Sequence, residues 1–102
     1  MSAERRPLTS EEEGRIRALS RARTDGTLYD VLGLRSDATG EEIEAAYYEL
    51  ARQWHPDRFY SRDTGELGSA IEENFVAATR AFRTLRDPLK RQAYHRELGI
   101  QG

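Results

Sequence analysis

Between Thr39 and Pro56, apolar residues recur at spacings of three and four: Ile43, Ala46, Tyr47, Leu50, Ala51 and Trp54. That period puts them on one face of an α-helix and leaves the other face polar. Thr39 is a good N-cap, and Glu41 and Glu42 suit a first turn, where the helix dipole favours negative charge. The helix must end by His55, because the ring of Pro56 crowds the residue before it out of helical geometry. A single apolar stripe needs a second surface to cover it. Leu67, Ile71, Phe75, Ala78, Phe82 and Leu85 provide one over about 66–86, after a polar loop holding Arg58, Ser61, Arg62, Asp63, Thr64 and Gly65. Two long helices joined by about ten residues should lie antiparallel. The stripe Ile43/Tyr47/Leu50/Trp54 then faces Ile71/Phe75/Phe82/Leu85.

Shorter segments flank this pair. Leu28 to Leu34 is apolar and short, and Gly33 suits a helix C-terminus, which predicts a short helix over about 27–33. Asp87-Pro88 stops the second long helix, and Pro88 can open a further one at its first turn, running to about Leu98 before Gly99. Upstream, Ser10 and Glu13 read as a capping box for a helix over about 10–23. Its stripe of Ile16, Leu19 and Ala22 is too thin to hold a helix alone in water, so it packs on the domain or frays. It is either a packing extension or a partner-binding helix or connector. The expected fold is all-α, with a disordered segment over 1–9, an additional N-terminal helix and linker over 10–26, the helical domain over 27–98 and a tail over 99–102.

Several function classes are excluded or disfavoured. The 102 residues include no cysteine, which removes disulfides, thiolate zinc sites and a cysteine nucleophile. No apolar run approaches the ~18 residues needed to span a bilayer, and no secretory signal follows Met1 to Arg6, so a cytoplasmic protein with no membrane partner is expected. The net charge of -2 argues against a nucleic-acid binder. His55 and His95 lie far apart with no HExxH spacing, and the glycines are isolated rather than gathered into a phosphate-cradling loop. No catalytic group, metal or cofactor is expected. Charge is unevenly spread: residues 41–54 carry four glutamates against Arg52, and residues 80–97 carry six basic residues against Asp87 and Glu97. Two solvated faces that attract each other, or a basic docking surface near the C-terminus, would each account for this.

His55-Pro56-Asp57 can be a simple helix stop, with His55 capping the last carbonyls. It can equally be a rigid corner projecting an imidazole and a carboxylate, the latter suited to bidentate contact with a partner arginine. Its context is Leu28-Tyr29-Asp30-Val31-Leu32-Gly33-Leu34, then Ala38-Thr39-x-Glu41-Glu42-Ile43-x-x-Ala46-Tyr47-x-x-Leu50-Ala51-x-x-Trp54 leading into the tripeptide. Phe75-x-x-Ala78-x-x-Ala81-Phe82-x-x-Leu85-x-Asp87-Pro88-x-Lys90-Arg91-x-x-Tyr94 follows. Over about residues 27–97 the chain resembles the J-domain family of DnaJ-like co-chaperones.

The resemblance implies a monomeric module that binds a DnaK-type ATPase chaperone and stimulates its ATP hydrolysis, with no nucleotide or other cofactor of its own. His55, Pro56 and Asp57 would form the contact, Asp57 centrally, flanked by Arg52, Arg58 and Arg62. One departure stands out. Where the family's second helix carries several basic residues, this chain has Glu44, Ala45, Tyr48, Glu49 and Gln53, so steering from that face should be weak. An alternative is therefore a J-like interaction module that no longer activates a chaperone. Trp54 replaces the usual tyrosine before the tripeptide. Phe59 and the long loop to Leu67 resemble the iron–sulfur-cluster branch of the family, without that branch's C-terminal domain. The Gly/Phe-rich linker, CxxCxGxG repeats and β-domain of larger relatives do not occur, as expected of a J-domain standing alone or taken from a longer protein.

Overall fold

The computed structural model describes residues 5–99. Five α-helices dominate: α1 (Ser10–Asp25), α2 (Leu28–Leu32), α3 (Gly40–Trp54), α4 (Gly68–Leu85) and α5 (Pro88–Leu98). Two short strands, β1 (Arg6–Pro7) and β2 (Arg62–Asp63), pair in parallel, and 3-10 turns at Pro56–Phe59 and Gly65–Leu67 link α3 to α4. The all-α fold expected from the sequence is the one observed.

Local chemistry explains most boundaries. Thr39 caps α3 as expected and forms a full capping box with Glu42: the Thr39 hydroxyl accepts from Glu42 N–H at 3.1 Å and Glu42 Oε1 accepts from Thr39 N–H at 2.8 Å. Thr27 and Asp30 repeat the device at α2. Gly33 closes α2 with φ 72, a left-handed conformation nearly free of cost only for glycine, and lets Leu34 N–H reach the Tyr29 carbonyl at 2.8 Å. Asp87 caps α5, Pro88 occupies its first turn, and Gly99 ends it.

Tyr47 of α3 stacks on Phe82 of α4 with centroids 4.3 Å apart, and its hydroxyl meets Thr79 Oγ1 at 3.0 Å. Some two turns later, His55 lies on Phe75, two turns earlier in α4. The two long helices are thus antiparallel. The facing stripes expected as one core divide into two. Tyr29, Val31, Leu32, Ile43, Ala78, Ala81, Phe82 and Leu85 make the larger cluster, with Tyr47, Leu50 and Tyr94 packed against it. Ile71 and Trp54 belong to a second cluster with Ile16, Phe59, Leu67 and Leu8.

Three N-terminal expectations are corrected. Residues 5–9 are not a disordered segment: Arg6 pairs with Arg62 and Pro7 with Asp63, and Leu8 packs on the second cluster, while 1–4 lie outside the described residues. The capping box of α1 uses Thr9 and Glu12 rather than Ser10 and Glu13, with bonds of 3.0 and 2.9 Å. Helix α1 runs on to Asp25, past the expected end near residue 23. It lies against α2 and α4, and its buried Ile16 packs with Ile71 of α4. The buried amide of Asn74 donates to the Ile16 carbonyl at 3.2 Å and to Ser20 Oγ at 3.1 Å, and its oxygen accepts from Arg23 Nε at 2.9 Å. Arg23 also pairs with Glu73 at 3.2 Å.

Candidate functional site

The corner at the end of α3 follows from Pro56. His55 takes φ −62 and ψ 134, the extended geometry a residue before proline prefers, while its N–H still closes the helix on the Ala51 carbonyl at 3.1 Å. Pro56 then opens the 3-10 turn, and Arg58 N–H donates to the His55 carbonyl at 2.9 Å. The His55 side chain does not cap the last carbonyls of α3, as a simple helix stop would have it. Its Nδ1 accepts from the backbone N–H of Asp57 at 3.1 Å, which leaves the ring proton on Nε2. Phe75 supports the ring from below, with centroids 4.7 Å apart.

Asp57 points away from all of this. Its side chain is 92% exposed, and its carboxylate accepts no hydrogen bond among the described residues. The imidazole Nδ1 lies 3.8 Å off, but its lone pair is already engaged by the Asp57 backbone N–H. A carboxylate whose backbone is held on both sides and whose oxygens are free is organised to receive a donor from outside.

The three flanking arginines differ in availability. Arg58 donates through Nη1 to the Arg52 carbonyl at 2.7 Å, satisfying one of the carbonyls left open at the end of α3. Arg52 turns back along α3 to Glu49 at 2.5 Å, and Gln53 binds the same carboxylate at 2.8 Å. Arg62 is drawn away from the corner. It grips both oxygens of Glu12 at 2.6 and 3.1 Å and donates to the carbonyls of Arg6 at 3.2 Å and Pro7 at 3.0 Å. This pair is largely covered, with the two side chains 15% and 26% exposed. The Arg62 hydrogen bonds, helped by the Thr9 N–H, pull the Glu12 carboxyl down to about 2, and Glu12 in turn raises Arg62. The structure thus brings together His55, Pro56, Asp57, Arg58 and Arg52, and assigns Arg62 to the N-terminal segment.

Two features of the corner escaped the sequence reading. Phe75 registered only as part of a core stripe, with no local signal that it supports His55. Tyr60, just beyond the turn, is among the most exposed large side chains of the chain. The two oppositely charged segments do not pair with each other: no ion pair joins the acidic α3 to the basic C-terminal region among the described residues. Arg91 instead donates to the Tyr29 hydroxyl at 2.6 Å and to the Ala38 carbonyl, while the same hydroxyl meets His95 Nε2 at 2.6 Å. These bonds lock α5 onto α2 and the loop before α3. Among the described residues, no His, Cys, Asp and Glu cluster could hold a metal ion, and no helix is long and apolar enough to cross a membrane.

The DnaJ domain family model matches residues 27–95. Over 71 residues the chain is 44% identical to the chaperone protein DnaJ of Leptospira biflexa, an alignment covering 70% of this chain and 17% of that protein. It is 41% identical over 75 residues to an uncharacterized J domain-containing protein of Schizosaccharomyces pombe, covering 74% of this chain and 11% of that protein. A DnaJ protein homolog of Saccharomyces cerevisiae is 43% identical over 67 residues, 66% of this chain and 14% of its own length. The chain therefore spans under a fifth of these relatives, and the match leaves β1 and α1 outside it.

Proposed function

The chain belongs to the DnaJ domain family, and from that membership we propose that it acts as a co-chaperone module, docking on a DnaK-type chaperone through His55-Pro56-Asp57 and stimulating that partner's ATP hydrolysis. The observation that carries the proposal is the exposed, unpartnered carboxylate of Asp57, presented by a corner whose backbone is held by His55 and Pro56. An arginine of the partner would take it bidentately. Arg58, fastened to the end of α3, and Arg52 flank that contact. The effect on ATP hydrolysis is a coupling between two sites of the partner, so it requires no catalytic group on this chain. The module would act in the cytoplasm as a monomer, with a protein as its partner rather than nucleic acid or membrane.

The test is steady-state ATP turnover of a DnaK-type chaperone with and without the domain. Turnover should rise with the wild type and return to the basal rate with Asp57→Asn, because losing one member of a desolvated charge pair costs roughly 2–5 kcal/mol. Equal stimulation by the variant would refute the role of Asp57, and absence of stimulation by the wild type would refute the proposal. A second reading, a J-like interaction module that no longer activates a chaperone, draws on the exposed acidic face of α3 and on the pairing of Arg52 with Glu49. It predicts binding to another protein that Asp57→Asn leaves unchanged.

A further inference from the structure

The segment outside the family match is built into the loop that follows the corner. β1 runs parallel to β2, with Arg6 opposite Arg62 and Pro7 opposite Asp63. Arg62 crosses back to bond both main-chain carbonyls of that strand and both carboxylate oxygens of Glu12 in the first turn of α1. Directly beneath, Leu8 and Ile16 pack with Phe59, Leu67 and Ile71. Phe59 is the last residue of the turn that begins at Pro56, and its ring stacks on Trp54, the residue before His55, with centroids 5.6 Å apart and planes 10° apart. The turn presenting Asp57 is thus held at its start by α3 and at its end by the N-terminal segment.

From this arrangement we infer that Glu12 and Arg62 are positioning residues for the His55-Pro56-Asp57 corner: the N-terminal helix is an intramolecular brace that keeps the docking turn in its binding-competent form. The inference rests on the co-chaperone reading above. An arginine five residues after Asp57 is well placed for this work. Its planar fork can satisfy a carboxylate and two carbonyls at once, which a lysine cannot. Removing the brace leaves the covalent corner intact and loosens the loop behind it. Apparent affinity for a partner falls by the fraction of molecules in the competent form.

Glu12→Gln isolates the pair. Glutamine keeps one acceptor oxygen for the Thr9 N–H that closes the capping box, and loses the charge and the second acceptor that hold Arg62. Two readouts are taken on the full chain: amide hydrogen exchange over residues 58–64 in the domain alone, and ATP turnover of bacterial DnaK titrated with the domain. Faster exchange at 58–64 is expected, with a half-stimulating concentration about fivefold higher and unchanged maximal turnover, as when the competent form falls to ~20% of molecules. A brace that merely anchored α1 would lower the melting temperature and leave the half-stimulating concentration where it was, which overturns the positioning role while sparing the co-chaperone reading. Unchanged exchange at 58–64 overturns the brace whatever the turnover does. Faster exchange with no stimulation by the wild type overturns the co-chaperone reading, and the positioning role with it.

Discussion

Ile16→Ala tests whether α1 is an integral part of the fold. Ile16 is almost completely buried, against Phe59, Leu67 and Ile71. Alanine removes three carbons, a transfer loss of about 2.4 kcal/mol at roughly 0.8 kcal/mol per buried carbon. A residual cavity of ~50 Å³ adds about 1 kcal/mol at the usual cost per unit volume. The expected destabilisation is therefore about 3–4 kcal/mol, a large share of the ~5–15 kcal/mol total of an ordinary domain. With a urea slope of about 1.5 kcal/mol per molar for a chain of this size, the midpoint should fall by ~2 M. Trp54 is the only tryptophan and sits in the same cluster, so its fluorescence reports on the site itself, while circular dichroism follows all the helices. If α1 belongs to one cooperative unit, both probes shift together. Ile16→Val should cost only about 1 kcal/mol and serves as a graded control. A midpoint that moves by less than ~0.3 M, or a fluorescence change that precedes the loss of helix, would refute the reasoning: α1 would then undock at little cost and leave the rest of the domain folded.

Asn74→Ala should destabilise by roughly 1–3 kcal/mol, because the Arg23 guanidinium and the buried polar groups of α1 lose their partner; a denaturation midpoint within error of wild type would contradict that. Glu12 is lowered from 4.5 to about 2 in the folded chain, so its pair with Arg62 stabilises fully above about pH 4.5 and the contribution is lost as pH falls toward about 2. The gap in melting temperature between wild type and Glu12→Gln should be present at pH 7 and close over that window; a gap independent of pH would be inconsistent with the ion pair. Gly33→Ala forces a side chain into a left-handed conformation at φ 72 and should cost about 1 kcal/mol by thermal melting, whereas Gly14→Ala, inside α1 in open space, should be neutral or stabilising.

What could be read from the sequence was mainly local. The 3.6-residue period, Thr39 before two glutamates, Pro56 after His55 and Pro88 after Asp87 act within a turn or two, and α3, α4 and α5 form close to where those signals place them. The cap of α1 shows the boundary of that legibility. Thr9-x-x-Glu12 and Ser10-x-x-Glu13 are equally good capping boxes by spacing. Glu12 also meets Arg62, 50 residues away, an interaction no local pattern encodes. The same holds for β1, where Arg6 and Pro7 carry no strand signal and pair because Arg62 gathers their carbonyls. Of the site, the tripeptide and its turn were legible because proline dictates them. The bond from Asp57 N–H to His55 Nδ1 and the support from Phe75 depend on tertiary geometry. Exposure is the default for an arginine in a polar loop, and nothing local to Arg62 encodes its pairing with Glu12.

The bonding of the arginines bears on how such a corner would recognise a partner. Arg52 is matched with Glu49, Arg62 with Glu12, and Arg58 is fastened to a main-chain carbonyl while keeping its charge. At the other end of α3, its first turns add the exposed Glu41, Glu42 and Glu44. At the corner itself, little uncompensated positive charge is left to draw in an acidic partner from beyond a Debye length, about 8 Å at physiological salt. If the corner docks as proposed, its affinity then depends on short-range geometry: a desolvated carboxylate at Asp57, a turn held at both ends, and the exposed ring of Tyr60 alongside. Such a module tolerates salt in its association better than one steered by a basic helix, and depends more on the order of its turn. The brace from α1 is the feature of this chain that supplies that order, and it lies in the segment outside the DnaJ domain match.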